Sequence, residues 1–402
     1  MYYFGLLLAC CFLAKVKCAI SDVDKLYNDL LNGYNKDVRP PKDQSLTVIN
    51  ASFNLVSIKD FDEVSGKFAV TGVFIGIWFD DRLAWNPLNY NMIFTITVPQ
   101  NLIWKPTIFI ANVFDSVKNV GQDFVLTRLY YNGLVIWSPP DMFTTSCSVD
   151  VTYFPFDEQT CKIQFVTFGI LPSEVRLDSP DDKAMIPYYT EHGTWKLEKT
   201  LTTSSGFDQG SMFQVHVTMR RRPLFFIVNI ICPLLFLTLL NSCVFLLPAE
   251  AGERISYSIT VLLSIAVFMT MISSYLPRTS LTMSRLCYFL VGDLMLSSVI
   301  CLLTIFQLRI FFKNDKKYPV PTYLRNFVTF CKRRNRIINV QPKLSQDKVL
   351  DHKIRQEINN TETTNSNDVS WKEVAKLMDI VNLVGTLMFQ IIMVIVFFSI
   401  VT

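Results

Sequence analysis

Glu253, Ser256, Thr260, Leu263, Val267, Met271 and Ser274 recur three or four positions apart, so on a helix they share one face. That face passes from a carboxylate through hydroxyls to hydrocarbon. Such a stripe has two physical uses: its hydroxyls bond back to the backbone or to a neighbouring helix, or they line water beside a carboxylate that sorts ions by sign. A second reactive pair is Cys147 and Cys161, which enclose thirteen residues with Phe154-Pro155-Phe156-Asp157 at the tip. Behind a signal segment these are the only cysteines outside the hydrophobic runs and one basic stretch, and two lone extracellular thiols are expected to pair. A disulfide closing a loop of that size stabilises by about 3 kcal/mol in the chain-entropy model. Apolar rings around a proline are expected to dock on something apolar. Catalysis has less footing. His192, His216 and His352 are the only histidines, and no nucleophile motif, metal-ligand spacing or phosphate loop accompanies them, so neither an enzyme nor a cofactor nor a metal is expected.

The elements that must carry these residues are legible in how apolarity is distributed. Half of the 402 residues are apolar, and they come in blocks rather than at an even spacing. Residues 1–19 form a short apolar run ending in small residues and read as a secretory signal. Four later runs are long enough for a bilayer that needs about 20 residues per crossing: Pro223 to Leu247, Ile255 to Leu276, Leu286 to Phe312, and about Leu377 to Val401. An even number of spans leaves both termini on one side, which the signal segment makes the outside, and the connection over 313–376 then lies inside. Its Lys313, Lys316, Lys317, Arg325, Lys332, Arg333, Arg334 and Arg336 agree with the excess of basic residues expected on that side. The same stretch supplies much of the modest net charge of +4, which gives nucleic-acid binding no support. Asn50-Ala51-Ser52 is a glycosylation sequon on the outer side, whereas Asn359-Asn360-Thr361 falls inside. The domains expected are therefore 1–19, 20–222 outside, 223–312 with three spans, the 313–376 loop, and 377–402 with the fourth span.

Within 20–222, Leu26, Tyr27, Leu30, Leu31 and Tyr34 recur at helical spacing, and short alternating segments follow, among them SLTVINASFNLVSI, FAVTGVFIGIWF, MIFTITVP, FVLTRLYY, LVIWS, CKIQFVTF and FQVHVTM. One helix followed by a β-sandwich is expected. Sandwich plus spans would also serve a non-conducting cell-surface binding glycoprotein, so function is open on these patterns alone.

LYNDLLNGYNKDVRP, IWFDDRLAWNP, IWKP, VIWSPP, the CSVDVTYFPFDEQTC loop, TMRRRPLFF and GERISYSITVLLSIAVFMT, in that order, resemble the Cys-loop pentameric ligand-gated ion channels of the nicotinic acetylcholine receptor branch. The resemblance implies an all-β sandwich of ten strands with an N-terminal helix, joined to a four-helix membrane bundle. Five copies, identical or related, would surround a pore in the plasma membrane, with a small-molecule agonist, membrane lipid and permeant monovalent cations as partners. Five copies of Glu253 would then form a cation-attracting ring. Gly252-Glu253-Arg254 lacks the Pro-Ala insertion of anion-selective relatives, and Leu263, with Val267, would supply a constriction that closes by dewetting. Ser274 leaves the outer ring uncharged. Asp293, inside the third span, is expected to be protonated or bonded to a hydroxyl, with modulator binding an open alternative.

For coupling, the resemblance pairs Arg221 with Glu63 near Asp157, presses Phe154 and Phe156 on Tyr275 to Ser280 with Pro277 stiffening that turn, and makes the Phe154-Pro155 bond cis. For the ligand, it implies a cleft at subunit interfaces lined by Phe168, Phe207, Phe74, Arg128, Ile136 and Ser138. The aromatic cage for a quaternary ammonium is mostly missing: Ala111 stands for one tyrosine, Phe168 for one tryptophan and Val73 for another. The capping segment from Thr200 to Met212 is shortened, with neither a Cys pair nor a tyrosine. Acetylcholine is therefore not the expected agonist of a homopentamer, and a non-binding accessory subunit of a heteropentamer is the alternative.

Overall fold

The computed structural model describes residues 20–208, 210–278, 283–315, 317–338 and 369–401. The signal segment, the inner sequon and His352 lie outside the described residues, as do the side chains of Phe168 and of 331–338. The chain divides into two compact units, one reaching to Pro223 and including Tyr275–Thr282, the other made of Leu224–Ser274 and Met283 onward.

The first unit opens with helix α1 (20–31). Its Leu26 is fully buried, and Tyr27, Leu30, Leu31 and Tyr34 pack on the main core, so the helical spacing marks the docked face. Eleven strands follow: β1 (Thr47–Asp62), β2 (Lys67–Phe79), β3 (Thr95–Pro99), β4 (Phe109–Ile110), β5 (Leu126–Tyr130), β6 (Leu134–Trp137), β7 (Pro140–Ser146), β8 (Glu158–Phe168), β9 (Val175–Asp178), β10 (Trp195–Phe207) and β11 (Gly210–Arg221). One sheet runs β3-β5-β6-β2-β1-β9 with β7 also on β2, and the other runs β10-β11-β8-β4.

The count is eleven rather than ten because Pro139 and Pro140 interrupt one strand. β6 pairs with Gly76–Phe79 and β7 with Lys67–Val73, so both halves lie along β2. A proline removes a ladder donor, which breaks the element without changing its course. The sheets close on an aromatic core in which Phe53 and Phe74 of one meet Phe165 of the other, with ring centroids 5.7 and 4.9 Å apart. Phe143, Trp137 and Phe213 complete the cluster. Each such ring contributes on the order of 2–3 kcal/mol of transfer free energy. The alternation of buried and exposed residues along β1, β2 and β11 is what puts them there.

Among its described residues the second unit holds four long apolar helices, α2 (Leu224–Leu246), α3 (Arg254–Ser273), α4 (Arg285–Phe311) and α6 (Trp371–Val401), with the amphipathic α5 (Thr322–Ile338) before the last. α2 is irregular. A π-helical turn, Ile227–Ile231, precedes Pro233, whose ring cannot accept a normal helical neighbour. α6 starts at Trp371, ahead of the apolar run expected from Leu377. Helical hydrogen bonding does not need apolar side chains, so the charged turn carrying Lys372, Glu373 and Lys376 extends the helix.

Candidate functional site

The α3 stripe is placed as its spacing requires. Glu253, Ser256, Thr260, Leu263, Val267, Met271 and Ser274 are all exposed in the single chain, Leu263 at 61% and Val267 at 59%. Arg254, Ser258, Val261, Ile265 and Ile272 form the opposite, buried face. Glu253 and Ser274 cap the helix rather than lying inside it. Gly252, at φ 73°, supplies the left-handed residue that turns the chain out of the short Ala249–Ala251 helix into α3. A carboxylate at that end also complements the positive pole of the helix. Thr260 donates its hydroxyl to the Ser256 carbonyl at 2.8 Å, and Ser274 donates to Met271 at 2.6 Å. These two hydroxyls thus bond back along the helix while their oxygens stay open to accept. Asp293 on α4 is 4% exposed, and its Oδ2 has no hydrogen-bond partner. It lines a small cavity with Thr238, Gly292 and Gln390, and no hydroxyl among the described residues bonds to that oxygen.

The disulfide between Cys147 and Cys161 is formed, and the Phe154-Pro155 bond is cis. The Cys147 amide donates to the Gly66 carbonyl at 2.8 Å, which ties the loop to the β1–β2 turn carrying Glu63. Arg221, at the end of β11, is 3% exposed and gathers the acids. Its Nε donates to Asp157 Oδ1 at 2.7 Å, one terminal nitrogen to Asp157 Oδ2 at 3.1 Å and the other to Glu63 Oε1 at 2.6 Å. Gln159 Nε2 donates to Asp157 Oδ2 at 2.6 Å. The guanidinium lies 4.3 Å from the Trp195 ring centroid and 4.9 Å from that of Phe154. Burial opposes its charge, but the hydrogen bonds and charges of Asp157 and Glu63 outweigh that and raise its pKa above the usual arginine value.

Phe154 is 1% exposed and faces inward to Arg221, Pro155 is buried, Phe156 is half-buried, and the exposed ring is Tyr153. A buried cation draws the ring face toward itself, a preference that apolarity alone does not reveal. Thr279 and Ser280 lie outside the described residues, and Pro277 is half-buried.

The residues expected to hold a ligand fall into separate groups. Arg128 and Ile136 are cross-strand neighbours on the outer face of the larger sheet, in register with Thr97 and Ile77. Ser138 is half-buried just beyond β6, and Arg128 is exposed. Phe168 and Phe207 sit in the other sheet, each the register partner of Gly210. The capping segment is a hairpin paired as far as Phe207–Gly210, with two residues between the strands. A Cβ on Gly210 would lie 1.9 Å from the Thr167 carbonyl oxygen and 2.9 Å from the Phe207 ring, so only glycine fits where the hairpin closes.

Phe74 does not belong to this set: it is fully buried in the sandwich core against Trp137, Phe165 and Phe213. Val73 faces outward, and the period-two alternation of a strand sends its neighbour to the other face. Asn50 is exposed, though on β1 rather than in a loop.

Sequence reasoning missed Trp195 and Gln159 around Arg221, and a second buried ion pair. Arg254 and Asp379 are bonded by two hydrogen bonds at 2.7 and 3.0 Å. The available signal was a basic residue at the edge of one apolar run and an acidic residue inside another, where unpaired charges are costly.

A sandwich holding a disulfide-closed loop, followed by four apolar helices of which one exposes a polar stripe, defines a receptor-like membrane protein class. The chain belongs to the neurotransmitter-gated ion-channel family: the ligand binding domain of that family matches residues 23–223 and its transmembrane region matches 230–368. The chain is 31% identical over 317 residues to neuronal acetylcholine receptor subunit alpha-2 of Gallus gallus, covering 76% of this chain and 59% of that one. It is 30% identical over 332 residues to the subunit of the same name from Homo sapiens, covering 79% and 61%. Acetylcholine receptor subunit beta-like 1 of Drosophila melanogaster is 30% identical over 318 residues, covering 77% and 61%. The chain spans about three-fifths of the length of these curated relatives.

Proposed function

We propose that the chain is a subunit of a cation-selective ligand-gated ion channel in the plasma membrane, a pentamer of copies or related subunits around a pore lined by α3. The observation that carries this reading is the α3 stripe: seven residues running from Glu253 to Ser274 are exposed together while the opposite face is buried. A single helix has no reason to present a carboxylate and hydroxyls along one exposed face in lipid, whereas five such faces around an axis enclose water. Five Glu253 carboxylates concentrate monovalent cations, and the Leu263 ring closes the path by dewetting. Residues 20–222 and both termini lie outside, the 313–376 loop inside, and Asn50 carries sugar.

The agonist is a small molecule held between subunits, because Phe168 and Phe207 lie in one sheet and Arg128, Ile136 and Ser138 at the outer face of the other. The relatives are acetylcholine receptor subunits by name, but Ala111 and Val73 here offer no rings to a quaternary ammonium. Acetylcholine is therefore not the agonist of a homopentamer. The same missing cage favours a second reading, an accessory subunit that conducts without binding. In either case tilting of the sandwich acts through the Arg221 cluster and the 147–161 loop on the turn containing Pro277, shifting the population between two packings.

Expression of the Leu263→Ser variant as a homomer tests the gating scheme. A hydroxyl ring in place of the constriction gives a standing current without agonist, while acetylcholine evokes none from the unaltered homomer. A Leu263→Ser protein that reaches the surface in normal amounts and stays silent contradicts the pore, and an acetylcholine-evoked current contradicts the ligand reading.

A further inference from the structure

Arg254 follows Glu253 directly, and the pore proposal leaves its charge unexplained. Five arginines beside five glutamates would cancel the field that selects cations if both projected into the same water. The two side chains part instead: Glu253 is exposed and Arg254 is 3% exposed inside the bundle. Arg254 spends its donors there. Its Nε bonds the Leu247 carbonyl at 2.6 Å, and its two terminal nitrogens take both oxygens of Asp379 on α6. Gln307 on α4 donates to Asp379 Oδ1 at 2.6 Å and to the Ala375 carbonyl at 3.0 Å, and Asn382 donates to Gln307 Oε1.

At the end of α3 that starts the stripe, α6 thus holds the guanidinium through Asp379, and α4 holds Asp379 through Gln307. The Leu247 bond also ties down the turn Leu247–Gly252 that delivers Glu253. A bidentate carboxylate partner fixes the plane of a guanidinium as well as its position. An arginine lacking that partner has a long, flexible stem and every reason to seek water, and the nearest water is at the mouth where Glu253 stands.

We propose that Asp379, oriented by Gln307, is a positioning residue for ion selectivity: it withdraws the Arg254 charge from the conduction path. This rests on the pore reading above. It assigns to the last helix, the one furthest along the chain from α3, a direct electrostatic duty at the inner mouth.

The test uses the full-length homomer in a Leu263→Ser background, so that current needs no agonist. Asp379→Asn lowers unitary cation conductance by about threefold or more and moves the reversal potential toward chloride. Adding Arg254→Gln to Asp379→Asn restores both, a recovery that a merely structural role for Asp379 does not produce. Unchanged conductance and reversal in Asp379→Asn, or failure of Arg254→Gln to restore them, overturns the proposal. Should Asp379→Asn not reach the surface, Arg254→Gln is compared with Arg254→Gln/Asp379→Asn. Equal conductance is expected, since without the arginine the aspartate has no charge to withhold, and a difference overturns the proposal. Glu253→Gln is recorded in parallel. If it changes selectivity and Asp379→Asn does not, only the clamp fails; if it changes nothing, the pore reading itself fails.

Discussion

Replacing Glu253 by Gln and inserting Pro-Ala before Arg254 moves the reversal potential of the open homomer toward that of chloride. The expected change in the cation-to-chloride permeability ratio is about tenfold or more, the scale on which a lined cleft of one sign enriches its counter-ion. Two terms add. In the proposed pentamer neutralisation removes five carboxylates from the inner mouth, and the insertion lengthens the turn that Gly252 now makes at φ 73°. That lengthening also disturbs the Arg254 bonds to Leu247 and Asp379, which hold the positive charge inside the bundle. Reversal potentials in asymmetric sodium chloride measure the outcome. An unchanged value in a channel that conducts normally would count against Glu253 as the selective group.

Arg221→Ala is the substitution expected to cost most stability in the sandwich. It strips the partner from Asp157, which is 2% exposed, and from the half-buried Glu63, and it empties a site walled by Trp195 and Phe154. Breaking a buried ion pair on one side costs about 3–5 kcal/mol because the remaining charge is left uncompensated. That is a large part of the roughly 5–15 kcal/mol that holds a typical domain folded. Thermal unfolding of the purified protein and its surface level in cells should both fall sharply. The triple variant Arg221→Met, Asp157→Asn, Glu63→Gln separates charge from packing: it recovers much of the stability, since no ion is stranded. If Arg221→Ala unfolds like the unaltered protein, the cluster is not the desolvated junction described here.

The parts that were legible in the sequence are those set by short-range periodicity. The α3 stripe follows from spacings of three and four, and every one of its members is exposed. The docked face of α1 and most strands follow from the same logic at their own periods. Phe74 shows the rule being available and decisive: once Val73 faces outward, its neighbour must enter the core. Long-range pairing was harder. Arg221 and Glu63 are joined across 158 residues and were placed by resemblance, whereas Arg254 and Asp379, 125 residues apart, were not anticipated. Nothing local marks which acid a buried arginine will choose. The inward turn of Phe154 has the same origin, because the charge that attracts it comes from the end of β11. The ligand groups are divided for a further reason. Phe207 and Arg128 belong to different sheets, and the proposed cleft would take one sheet from each of two copies of the chain.

Direct imaging of the purified, membrane-extracted protein tests the central claim most closely. Five subunits around an axis are expected, with α3 innermost and Glu253, Thr260 and Leu263 turned toward the central path. A different number of subunits, or an α3 whose stripe faces lipid, would contradict the account.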